Sequence, residues 1–146
     1  MILSGIILVS ILGFSYGLLG LPIHVTPAQS IEVQGQLMCN GRPASGVLVK
    51  MYDDNTFNLD TFMAKQNTNG NGQYDLRGVS HSITSIDPKI NIYHDCNDGI
   101  TPCQRKLTIN IPSNYITRGS TPNQVYNAGS IELANKFKGE ARDCIH

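Results

Sequence analysis

The chain has 146 residues, with 11 Lys and Arg against 11 Asp and Glu, 40% hydrophobic residues, four cysteines and no tryptophan. Formal neutrality excludes the electrostatic footprint needed for nucleic acid or an anionic membrane, because phosphate binding demands a clustered surplus of Lys and Arg. The densest basic element is a single pair, Arg105-Lys106, which reads as polar residues opening a strand.

The first thirty residues carry no Lys, Arg, Asp or Glu, and Ile2 to Leu21 is almost continuously apolar. A secretory signal has an apolar run of about 7 to 15 residues and then a polar stretch ending in small residues. Thr26-Pro27-Ala28 before Gln29 meets that description. A membrane anchor would use the same stretch, since about twenty residues span a bilayer. Gly5, Gly13, Gly17 and Gly20 weaken it as an anchor, so the expectation is a signal peptide over 1–28 and a mature domain over 29–146. The product is then secreted and extracellular, with no transmembrane span after cleavage. Its 118 residues make one domain.

In the mature part, Ile31, Val33, Gly35 and Leu37 alternate with Glu32, Gln34, Gln36 and Met38, the pattern of a half-buried strand. Residues 39–46 form a turn and Val47 to Tyr52 a second strand. Asp53 to Asp60 is a polar loop, in which Asp53, Asp54 and Asp60 are candidate partner-binding residues. Thr61 to Gln66 and Gln73 to Leu76 flank the turn Asn69-Gly70-Asn71-Gly72 as third and fourth strands. Ile90 to Asp95 and Lys106 to Ile111 alternate on either side of the Cys96 to Cys103 loop, as the two arms of a hairpin. Tyr126 to Ala134 closes the sheet, and Leu133, Phe137 and Ala141 suit a short terminal helix. About seven strands at this spacing, with little helical periodicity, predict an all-β, two-sheet sandwich.

Four cysteines in an exported chain imply two disulfides, and four cysteines permit three pairings. Spacing favours Cys96 with Cys103, across the turn chemistry of Asp98-Gly99 and Pro102, which leaves Cys39 with Cys144. The stretch Tyr93-His94-Asp95-Cys96-Asn97-Asp98 also has the residue types of a metal site. It lacks a second ligand pair at zinc spacing and the late bidentate Glu of a calcium loop, so it reads as a structural clasp. Asp53-Asp54-Asn55 with Asp60 reads likewise as a solvated strand connection. No cofactor or metal is expected.

The segments "VQGQLMCNGRPASGVLVKMYD", "NGNGQYDLRG", "DPKINIYHDCND", "PCQRK" and "RDCIH" together resemble the nematode transthyretin-like family. The resemblance covers essentially the whole mature chain and implies a transthyretin-type (prealbumin-type) sandwich and secretion, with extracellular binding or signalling roles. Hydrolases of 5-hydroxyisourate share that fold. They carry a catalytic His near the N-terminus and a C-terminal Tyr-Arg-Gly-Ser, whereas this chain ends Arg142-Asp143-Cys144-Ile145-His146. Tyr115 to Ser120 contains a similar but differently spaced string inside the chain, and His81, His94 and His146 lack the matching context. No ordered nucleophile and base are visible, so no enzyme is expected and no residue is assigned a catalytic role. Two non-catalytic classes remain. One is a binding module that docks an extracellular protein or the cell surface through loops on a rigid frame. The other is a carrier of a small apolar ligand or lipid, which needs an enclosed apolar pocket. The strands show no surplus of large apolar side chains, which favours the first.

Overall fold

The computed structural model describes residues 26–55 and 59–146. The expected signal peptide over 1–28 therefore lies almost wholly outside the described residues, as does the middle of the 53–60 loop.

Ten strands are present among the described residues, and seven of them have six residues or more. In one sheet β1 (Ala28–Cys39) pairs antiparallel with β5 (Gln73–His81) and parallel with β9 (Val125–Glu132). Both partners overlap β1 around Glu32 to Gln36, so they occupy its opposite edges. The short strands β2 (Arg42–Pro43) and β8 (Thr117–Arg118) also pair with β1. The other sheet runs β10-β7-β6-β3-β4, made of β3 (Leu48–Asp53), β4 (Thr61–Asn67), β6 (Pro88–His94), β7 (Gln104–Asn110) and β10 (Ala141–Asp143). All pairings in this second sheet are antiparallel.

Alternation places the core. Ile31, Val33 and Leu37 of β1 face Val49, Met51, Ile90 and Ile92 of the second sheet, all with no exposed area. Register stacks Val49, Ile92 and Leu107 in one row and Met51, Ile90 and Ile109 in the next. Each such side chain contributes about 1.5–3 kcal/mol by leaving water. A one-residue slip would turn either row to the outside. Two glycines are fixed by this packing. A Cβ at Gly78 would lie 2.6 Å from Met51 Sδ, and one at Gly35 would overlap the Tyr74 hydroxyl. Tyr74 can therefore cross beneath β1, where burial pushes its phenol up to about 12.

Two expectations are revised. The fourth strand does not stop at Leu76 but runs to His81, because Arg77, Val79 and His81 continue the outward alternation. The segment expected as a terminal helix is not helical. Leu133 is buried, Gly139 turns the chain at φ +82°, and Ala141 opens β10. Ala28, the last residue of the expected signal, is the first residue of β1 and pairs with His81.

Candidate functional site

The loop between β6 and β7 carries the densest chemistry in the sequence, and the structure makes it a junction. Asn97 and Gly99 take positive φ, and the turn closes through Asp98 N–H to Asp95 O and Thr101 N–H to Asp98 O. All four cysteines are oxidised, but the partners are Cys39 with Cys96 and Cys103 with Cys144. This corrects the pairing of Cys96 with Cys103 and of Cys39 with Cys144. The hairpin is already in register from Lys89 opposite Asn110 to His94 opposite Arg105 and needs no covalent closure. Cys96 instead turns into the core, where it meets Cys39 at the end of β1 and joins the two sheets. Cys103 faces the terminal segment and ties down Cys144 just beyond β10. Beside the first bridge, the amides of Asn40 and Asn97 exchange two hydrogen bonds, 2.7 and 2.9 Å.

Arg105 sits at the centre of this junction, 4% exposed, with all five of its N–H groups used. Its Nε and one Nη2 proton go to the two Glu140 oxygens at 2.8 and 2.7 Å. The rest go to the carbonyls of Cys96, Leu133 and Asn135. One guanidinium thus pins the chain between β9 and β10 to the hairpin loop. Next to it, His94 Nδ1 accepts the Cys96 N–H at 3.1 Å. Burial and then the Arg105 charge lower the imidazole's pKa, which keeps it neutral. Asp98 receives both Nη atoms of Arg142, at 2.7 and 2.6 Å, and that contact holds its carboxyl below the ordinary range. Arg105, Glu140, Asp98 and Arg142 are occupied in holding the frame, and among the described residues no cluster of three or more His, Cys, Asp and Glu is placed to hold a metal.

The acidic candidates meet a similar fate. Asp53 is buried and its carboxylate accepts the Asp87 N–H at 2.9 Å. Asp54 and Asp60 converge on Lys89, at 3.7 and 2.6 Å. Burial opposes ionisation of Asp60, but hydrogen bonding and charge from Lys89 outweigh it and lower the pKa. The acidic loop is thus tied across the ends of β3 and β6, with the carboxylates of Asp54 and Asp60 sharing the single Lys89 ammonium. The sequence pattern did not show this because Lys89 lies far from Asp54 in the chain.

A concave surface lies on the other sheet, and sequence reading passed over it. Gln34 and Gln36 of β1, with Gln73 and Asp75 of β5, point away from the core by simple alternation. Gln66 and Asn67 of β4 and Asn69 of the following turn wall one side, and Asn127 and Ser130 of β9 the other. Together they enclose a cleft of about 580 Å³, in which seven of the twelve lining residues carry side-chain amides and Asp75 bears the single charge. A bulge shapes its floor. Gln34 lies opposite Asn127 and Gln36 opposite Ser130, so that Ala128 and Gly129 together face Gly35.

The amides are held. Asn69 Oδ1 accepts the N–H groups of Asn71 and Gln73 at 2.9 Å each. Gln66 Oε1 accepts from Asp75 N–H at 2.7 Å, and Asn127 Oδ1 from Gly129 N–H at 2.9 Å. Gln36 Nε2 donates to Asn71 O at 2.9 Å. With the oxygens of Gln66 and Asn127 fixed on backbone, their NH₂ ends are left as donors. The signal that pointed here was the pair Gln34-x-Gln36 and Gln73-x-Asp75, two outward polar ladders on what prove to be neighbouring strands.

The model of the transthyretin-like family, TTR-52, matches residues 34–112. Transthyretin-like protein 5 of Caenorhabditis elegans is 53% identical over 97% of this chain and 98% of its own length. Transthyretin-like protein 33 of the same organism is 44% identical over 81% of this chain and 83% of its own. A structural likeness to (S)-allantoin synthase, over 83% of this chain and 46% of that one, has a TM-score of 0.44 at 14% identity, too faint to bear on activity.

Proposed function

The chain belongs to the transthyretin-like family, and from that premise we propose that it is a secreted binding module, without catalytic activity, that docks an extracellular protein or cell-surface partner in the amide-lined cleft. The observation that carries this reading is the orientation of the cleft amides by backbone hydrogen bonds. Polar side chains on an exposed sheet are ordinarily free to rotate, and fixing them before binding removes an entropic cost of association. Two disulfides and the Arg105 network hold the frame around the cleft. Two disulfides in an otherwise small domain also suit an oxidising, extracellular setting.

Two other readings have less support. A carrier of apolar ligand calls for an enclosed apolar pocket, whereas this cleft is open and lined by amides. A hydrolase calls for an imidazole free to take a proton, whereas the lone pair of the buried His94 is occupied by the Cys96 N–H.

The test is binding of the tagged, secreted protein to intact cells. Gln34→Ala/Ser130→Ala removes two cleft side chains that hold no backbone group, and should weaken binding about tenfold with the melting temperature unchanged. Asp54→Ala/Asp60→Ala should bind as the parent does. The reverse ranking would move the recognition surface to the acidic loop.

A further inference from the structure

Building on the reading of the cleft as the recognition surface, we infer that the group it recognises is a neutral glycan, the hydroxyl-rich chain of an extracellular glycoconjugate. The cleft's chemistry narrows the choice. No cation lines it, and its single charge is the Asp75 carboxylate, so phosphate, sulfate or sialic acid would find no counter-charge. No aliphatic side chain lines it and its one aromatic residue, Tyr74, is 3% exposed, so an acyl chain would find no large apolar side chain to pack against.

A sugar fits on both counts. Each hydroxyl donates one hydrogen bond and accepts others. A side-chain amide presents a donor and an acceptor side by side, spaced to meet two neighbouring hydroxyls, and a carboxylate accepts from a further pair. The cleft offers these in fixed directions. Gln66 and Asn127 turn NH₂ groups outward because their oxygens are bound to backbone. Gln36 is held through its nitrogen and leaves its oxygen as an acceptor. Asp75 and Gln34 lie between them, joined at 3.3 Å. Gly129, with nothing within 4 Å of where a Cβ would stand, brings bare backbone to the cleft, where a ring can approach closely. The volume, about 580 Å³, falls in the range of ligand sites.

A printed array of neutral, sialylated and sulfated oligosaccharides, probed with the secreted protein, tests this. The expected result is retention on one or more neutral glycans, unchanged between low and high salt because no ion pair is involved, and about tenfold weaker for Gln34→Ala/Ser130→Ala. Retention on sulfated or sialylated glycans alone, equal retention by the variant, or no retention would overturn the inference. Cells treated with glycosidases separate its failure from that of the broader reading. If the cleft variant loses cell binding but glycan removal changes nothing, the cleft docks protein and the glycan assignment falls. If the variant binds cells as the parent does, the cleft itself is the wrong surface.

Discussion

Replacing Arg105 with Met should lower the unfolding free energy by about 3–5 kcal/mol, because it leaves the partly buried Glu140 carboxylate and three carbonyls without their donor. That is a large share of the roughly 5–15 kcal/mol by which domains of this kind are stable. Arg105→Met/Glu140→Leu should recover part of the loss, since the charge stranded in the single variant is then gone. Urea denaturation of the three proteins reads the effect, and equal midpoints for parent and Arg105→Met would refute the central role given to the guanidinium. Acid should expose the same network. Glu140 is held below its ordinary 4.5, first by hydrogen bonds from Arg105, so its contribution is complete above that value and disappears as pH falls through the lowered one. His94 acts in the same direction from higher pH. Its imidazole resists protonation in the folded chain, so stability begins to fall as pH drops below the ordinary 6.5 and the unfolded chain takes up the proton. Glu140→Gln should flatten the lower part of that acid profile and leave the His94 part in place.

Removing Cys39 and Cys96 together as Ser should cost about 4 kcal/mol on the chain-entropy account, for a bridge between residues 57 apart. The cost reaches beyond the loop, since this bridge joins the two sheets at the edge of the core. The second bridge spans 41 residues and has a similar entropic value, but Cys144 is exposed where Cys96 is buried. Mild reductant under native conditions should therefore open Cys103–Cys144 first, while Cys39–Cys96 stays closed until the domain unfolds. Peptide mapping after graded reduction and alkylation checks both statements. Early labelling of Cys39 and Cys96, or a crosslink between Cys96 and Cys103, would contradict the arrangement.

Short-range patterns were legible in the chain. Alternation at Ile31-Val33, at Ile90-Ile92 and at Leu107-Ile109 gave the buried rows, and the Asn-Gly and Asp-Gly turns placed the strand ends. What escaped was set by contacts between distant residues. The parallel pairing of β1 with β9 has no local signature. Cys96 and Cys103 lie close in sequence, yet the β6–β7 register already held that hairpin, and each sulfur was left to bind a different part of the fold. Asp53, Asp54 and Asp60 read as a solvated loop because Lys89 and the Asp87 N–H reach them from another strand. The cleft was missed for the opposite reason. Its glutamines and asparagines were visible as outward polar positions, but only the neighbouring of β1, β5 and β9, and the backbone groups that hold the amides, make them a surface with a direction.

The central claim is that recognition happens on the outer face of the β1–β5–β9 sheet. It is tested most directly by placing a photo-crosslinking amino acid at Gln36, in the cleft, or at Lys65, exposed on the outer face of the opposite sheet and paired across it with Lys50. Each protein is bound to intact cells and irradiated. The account predicts a covalent adduct through position 36 and none through position 65, with the adduct suppressed by excess unlabelled parent. An adduct through position 65 with none through position 36 would contradict it.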